Sequence, residues 1–424
     1  MKRLTIVLLA ICLLVPMAFA GGQDEASGPV NLDFYFGMTG PDGAYIRTVV
    51  EKFMADNPDI MITSTPYAWA TLWTKLDAAY AAGKPPQLIA FHIQEVNPYY
   101  NKGMLQDITS ELDQLGLDKG DFYPDLLESG QVDGKQYAVP FDVHPIAMYC
   151  NVGLLKQAGL DPAKPPTTLA ETVEYAKKMT KSGQNQWGLG LEQKNDIQFY
   201  GTMSFFFQHD GKLVTDDYKA AFDGQPARKT LATLHDFIWK HKVTPLGQED
   251  ARGDFRKKTI GMVFSGPWDN ALEGGFPSVD GLNYITAPVP QFGPTPATWM
   301  SSHQLAVIKQ KNEALIEPSA SFIKYFSDHN DYWGQAGMIV VRKSLADSPL
   351  LEPLKEKSKG FVDSLPKAQF MPLLPKGWEE LFEASPDRAI MKAIQTYLMD
   401  ENPDADEILS AANDQLDRIL DRYY

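Results

Sequence analysis

Two hydrophobic periods take turns along the first ninety positions. Leu32 to Phe36 reads as a strand. Ile46, Val49, Val50, Phe53 and Met54 then fall at i, i+3, i+4, i+7 and i+8, one helical face, which Asn57-Pro58 ends. Ile60 to Thr63 is strand-like again. Leu72, Leu76, Ala79 and Tyr80 mark a second helix closed by Gly83, and Gln87 to Phe91 is a third strand. Strand and helix in alternation predict an α/β lobe.

A second patterned stretch runs from Asp133 to Thr180. The Asp133-Gly134 turn feeds an extended run, Gln136 to Pro140, and Ile146 to Asn151 is an apolar strand bounded by Pro145 and Gly153. A short helix, Leu154 to Ala158, ends at Gly159. Pro165-Pro166 stop the chain. Thr168 and Glu171 then have the spacing of a capping box, ahead of a helix whose stripe is Leu169, Val173 and Ala176. Further on, Trp187 to Leu191 and Phe199 to Phe207 are apolar. Leu231, Leu234 and Ile238 mark a helix, and Ile408, Leu409, Ala412, Leu416, Ile419 and Leu420 share one face of a C-terminal helix.

Composition adds compartment and size. Lys2 and Arg3 precede an apolar run, Leu4 to Val15, and Ala18-Phe19-Ala20 is a small-x-small cleavage site, so residues 1–20 are expected to be an export signal. Past it the chain has one cysteine, Cys150, expected to be buried, so no internal disulfide is available. A chain of 424 residues exceeds what one core usually serves, and two lobes are the default. The formal charge of −15, more negative once Lys2 and Arg3 leave, argues against nucleic acid or an anionic membrane as partner.

The usual signatures of catalysis are missing. Histidines at 92, 144, 209, 235, 241, 303 and 329 show no tight metal-ligand spacing, and no nucleophile elbow, Walker loop or dinucleotide fingerprint occurs. No metal and no cofactor is expected. Aromatic residues beside short polar groups at strand ends suit a sugar, whose C–H faces stack on rings and whose hydroxyls need donors and acceptors.

The order D-G-K-x-Y, Pro140-Phe141, an aliphatic strand ending Tyr149-Cys150-Asn151, then Ala158-Gly159-Leu160-Asp161 and Pro165-Pro166-Thr167-Thr168 resembles the extracellular solute-binding proteins of ABC importers, the sugar-binding, maltose-binding-protein-like family. Phe255 to Asn270 with Gly266-Pro267-Trp268, then Ala287-Pro288-Val289-Pro290, Trp299 to Ile308 and Gly337 to Leu345 extend the likeness. It departs at Gln87 (usually Asp), Cys150 (an aromatic), Ser301 and Ser302 (glycines) and Val340 (proline). The resemblance implies a two-lobed periplasmic-binding fold of type II, with a ligand cleft and a hinge crossed near Val139–Pro145, Thr286–Pro290 and Gly337–Val341. Lobe one is expected over 29–139 and 288–337, lobe two over 140–287 and 338–424.

It also implies a monomer that binds a carbohydrate, performs no covalent chemistry and hands its ligand to an ABC permease. The rival ligand is a polyol or glycerol phosphate, and the rival class a secreted glycosidase or lyase with paired cleft carboxylates. Matching the family's positions gives the candidates. Trp268 is expected to stack on ligand, Tyr35 ends the first strand, and Phe91, Gln94 and Glu95 follow the third. Asp142 and His144 sit at the first crossing, where His144 replaces a carboxylate. Trp299 and His303 flank the loop after the second, and Trp378 follows Pro372 and Pro375. No motif-matched position supplies an Arg or Lys, which favours a neutral ligand.

Overall fold

Alternation along Val30–Phe36 buries Leu32, Phe34 and Phe36 on one face. In the computed structural model, which describes residues 28–193, 197–382 and 388–424, that strand is the second of a five-stranded sheet. The export segment read over 1–20 lies outside the described residues. No helix among them is long and apolar enough to cross a membrane.

In chain order the strands are β1 (Val30–Phe36), β2 (Ile60–Pro66), β3 (Leu88–His92), β4 (Gln131–Val132), β5 (Lys135–Gln136), β6 (Ala138–Pro140), β7 (His144–Pro145), β8 (Ala147–Asn151), β9 (Trp187–Gly190), β10 (Ile260–Ser265), β11 (Tyr284–Pro288), β12 (Thr298–Ser301), β13 (His303–Val307) and β14 (Ala368–Phe370). Lobe one is built on the sheet β2-β1-β3-β13-β6, parallel at its β2-β1-β3 end and antiparallel where β13 joins. Lobe two is built on β11-β8-β10-β9, and a small sheet β14-β12-β7 lies at the junction.

Both faces of the first sheet are covered. Leu32, Phe34 and Leu88 point into one core with Ile46, Val49 and Phe53 of helix Gly43–Asp56. Ile89 and Phe91 point into the other, with Leu72, Trp73 and Leu76 of helix Trp69–Ala81. In lobe two the largest core gathers Met148 and Cys150, helices Ile197–Gln208 and Gln225–Trp239, and the C-terminal helices Ala389–Met399 and Ala405–Tyr423. Cys150 is fully buried, which pushes its thiol up to about 12. The capping box of Thr168 and Glu171 is formed.

Three passages join the lobes side by side. Phe141 to Val143 leads from β6 to β7. Val143 bridges Ile339 on the third passage, and His144 pairs with Ser301 on β12. The second passage falls at Ser301–His303, which corrects the expectation of Thr286–Pro290. Tyr284–Pro288 is paired along its length with β8, and the Gln208 carboxamide donates to the Pro290 and Ala297 carbonyls, so this stretch stays in lobe two. The prolines mark the end of an edge strand, where a missing N–H costs nothing.

Candidate functional site

Asp142 organises the junction. Its Oδ1 accepts from His144 Nδ1 at 2.9 Å and from the His303 backbone N–H at 2.9 Å; its Oδ2 accepts from His303 Nδ1 at 2.7 Å and Trp333 Nε1 at 2.8 Å. Burial pushes this carboxyl up, but the two imidazoles and their hydrogen bonds outweigh it and hold Asp142 well below the usual carboxylate range. An ionised carboxylate only accepts, so both imidazoles carry a proton on Nδ1, and Nε2 is the ring nitrogen that Asp142 leaves unengaged. Burial, reinforced by His303 and opposed by Asp142, pulls His144 down to about 4. His92 lies at the end of β3, opposite His303 on β13. Burial first, then His303 and His144, hold it well below the ordinary imidazole value.

These rings border a cavity of about 380 Å³ between the lobes. Lobe one contributes the loop Gly37–Asp42, Trp69, His92 and His303; lobe two contributes Tyr200, Asp250, Arg252, Arg256, Trp268, Asp269 and Trp299. Trp69 stacks parallel to His303 (5.7 Å between centroids, 6° between planes). Trp268 stands edge-on to His144 and Tyr200, at 6.0 and 6.3 Å. Both indoles lie against a bare backbone. A Cβ at Gly37 would come within 2.2 Å of the Trp69 ring, and one at Gly266 within 2.1 Å of the Trp268 ring. Trp299 is buried against Tyr200, centroids 4.3 Å apart, and its indole N–H has no hydrogen-bond partner among the described residues.

Charges on the wall are matched. Arg252 donates to Glu192 at 3.2 Å, and Arg256 lies 3.7 Å from Asp269. Asp42 and Asp250 line the same cavity, each capping a helix. Burial pushes Asp42 and Asp269 upward, and pushes Glu192 up to about 7 against the pull of Arg252.

Of the ten candidates read from the sequence, His144, Trp268, Trp299 and His303 reach the cavity wall, with Asp142 directly behind them. Gln94 and Glu95 are buried beside it: Gln94 accepts from Ser301 Oγ at 3.0 Å, and a Glu95 oxygen lies 4.0 Å from His92 Nδ1. Three expectations are corrected. Phe91 is fully buried, its ring parallel to Tyr99, because alternation on β3 sends it into the core and leaves the next residue, His92, at the cleft. Tyr35 points to that same side of the sheet and meets Tyr67 edge-on. Trp378 is buried in the lobe-two core beside Phe382. Trp69, His92, Tyr200, Asp42 and the two arginines were missed. Trp69 and His92 carried a usable signal, an aromatic or imidazole at or just past a strand end.

A larger cavity of about 980 Å³ opens beside the hinge, lined among others by Val143, Met300, Ile339, Leu351 and Leu354. No tryptophan or histidine borders it, so it lacks the paired indoles and imidazoles of the cleft.

Comparison with known proteins agrees with this architecture. Residues 48–358 match the model of the bacterial extracellular solute-binding protein family. A binding protein of Brucella abortus (strain 2308) is 26% identical over 412 residues, covering 95% of this chain and 96% of that one. The sn-glycerol-3-phosphate-binding periplasmic protein UgpB of Escherichia coli (strain K12) is 25% identical over 236 residues, 53% of each chain. Among solved structures, an ABC transporter solute-binding protein from Thermotoga lettingae bound with alpha-D-tagatose has a TM-score of 0.79 at 24% identity, covering 92% of this chain and 100% of that one. At that identity the likeness shows the two-lobed fold.

Proposed function

Since the chain belongs to the bacterial extracellular solute-binding protein family, we propose that it captures a carbohydrate between its lobes and delivers it to the membrane permease of an ABC importer. The observation that carries this reading is the pair of indoles lining one cavity, Trp69 from lobe one and Trp268 from lobe two, each seated on a glycine. Flat apolar platforms on both lobes suit the C–H faces of a sugar. Between them, the Nε2 atoms that Asp142 leaves unengaged on His144 and His303 hydrogen-bond hydroxyls, and the Trp299 indole N–H donates to a ring or hydroxyl oxygen. The volume of about 380 Å³ lies at the small end of ligand sites.

In this reading the protein acts outside the cytoplasm as a monomer, exported by residues 1–20, and carries out no covalent step. The lobes are those read from the sequence, with the second passage moved to Ser301–His303.

One observation favours a second ligand class. Arg252 and Arg256 stand on the wall, and a partial relative is named for sn-glycerol-3-phosphate. Each guanidinium already faces a carboxylate, and Asp42 and Asp250 add negative charge, so a neutral solute fits better than an anionic one. A thermal-shift panel of mono- and disaccharides plus sn-glycerol-3-phosphate tests both. A ligand bound only by the folded chain raises the melting midpoint. A rise with a sugar supports the carbohydrate reading, and a rise with glycerol phosphate alone replaces it. No rise with any compound overturns both.

A further inference from the structure

The spacing of histidines along the chain excludes a compact metal motif, but the fold assembles one from three separate segments. One ring nitrogen from each of His92, His144 and His303 lies within 4.8 Å of the others. We propose that these three imidazoles form a site for a divalent transition-metal ion of the zinc class, with the remaining coordination position open to the cleft.

Strand register creates the cluster. His92 and His303 are directly opposed on β3 and β13, a relation that places Cβ atoms about 4.5–5.5 Å apart. His144 pairs with Ser301, two residues before His303, and its ring lies 4.3 Å from that of His303. The second observation is the outer partner. Asp142 takes Nδ1 of both His144 and His303, so their Nε2 atoms are the ones left for a ligand. A carboxylate on the far nitrogen is the arrangement that orients metal-bound histidines and raises their donor strength. Trp333 and the His303 backbone N–H fix that carboxylate in turn. Glu95 stands 4.0 Å from His92 Nδ1, beyond hydrogen-bond distance.

Three imidazoles with one open position suit zinc, and nitrogen donors select zinc, nickel, copper or cobalt over magnesium and calcium. Metal–nitrogen bonds of about 2.0–2.1 Å in a tetrahedron place the nitrogens about 3.3 Å apart. The ring nitrogens, now within 4.8 Å of one another, must therefore draw together by up to about 1.5 Å, which rotation of the half-buried His92 supplies most easily. Asp42 and Asp250 on the same wall favour a cation there. The site does not depend on which solute enters; with the metal bound, an oxygen of that solute is the natural fourth ligand and replaces the direct hydroxyl–Nε2 hydrogen bonds of the metal-free cleft.

The test uses the untagged full chain, stripped with a chelator and titrated with zinc, nickel or cobalt chloride with no sugar present. One metal per chain is expected, together with a raised melting midpoint and the visible band of four-coordinate cobalt. His92→Ala should weaken uptake by at least about 100-fold and Asp142→Asn by about 10- to 100-fold. No stoichiometric uptake overturns the site, as does uptake that both His92→Ala and His303→Gln leave unchanged. Should the variants fail to fold, the wild-type cobalt spectrum decides, and a six-coordinate or absent band overturns it. Because no sugar is present, failure here leaves the carbohydrate reading standing, and the converse holds.

Discussion

Replacing Trp268 with alanine removes the lobe-two platform and leaves the hinge in place. Aromatic side chains bury about 150–250 Å² when fully covered. One face of this indole is already taken by Gly266, and its edges by His144 and Tyr200. Roughly 80 Å² therefore remains for a solute, and at about 25 cal/mol per Å² that face contributes about 2 kcal/mol. The substitution should weaken binding about thirty-fold, since every 1.4 kcal/mol is a factor of ten. The ring also packs against both lobes' cores, so some loss of stability accompanies the loss of affinity. Calorimetry with the best solute of the panel, with circular dichroism on the same samples, separates the two effects. Wild-type affinity on an intact fold refutes the stacking role.

Further outcomes follow from the same geometry. Asp142→Asn should destabilise the chain by about 1–3 kcal/mol in urea unfolding, because one fixed donor, the His303 N–H or the Trp333 indole, faces the amide N–H₂ whichever way it turns; unchanged stability would contradict the described network. Glu192 is protonated below about 7 in the folded chain and only below 4.5 once unfolded, so between those values the folded state holds the extra proton. Stability therefore falls as pH rises from 4.5 to 7, by up to about 3 kcal/mol from this group. Comparing Glu192→Gln with wild type at both ends should reveal that difference, and a gap that does not change with pH refutes it. Solution scattering should give a smaller radius of gyration at saturating solute, since three short passages share the closing rotation; tight binding at an unchanged radius would count against a hinge.

Legibility in the sequence followed what periodicity encodes. Alternation on β1 and the short apolar run of β3 marked strands, and the helix faces with Val49 and Leu72 marked their covers, so the α/β lobe was readable. Periodicity does not say which side of a strand end opens to the cleft, and that is why Phe91 stood in for His92. The resemblance put a passage between lobes at Thr286–Pro290, whereas the pairing that decides the matter, Tyr284 with Asn151, is a contact distant in sequence. The three-histidine cluster was invisible for the same reason: register across β3, β13 and β7 builds it, with Asp142 two residues before His144. Trp268 and Trp299 were found because their motifs carry them.

The most direct test of the cleft uses the indole N–H resonances of the eight tryptophans, followed by NMR as the solute is added. Trp69, Trp268 and Trp299 line the cavity, while the indoles of Trp187 and Trp239 donate to Asn185 and to the Leu398 carbonyl elsewhere in lobe two. Saturable shifts should appear at Trp268, Trp69 and above all Trp299, whose buried N–H gains a partner, with Trp187 and Trp239 unmoved. A solute that binds stoichiometrically while the three cleft resonances stay in place would contradict the account.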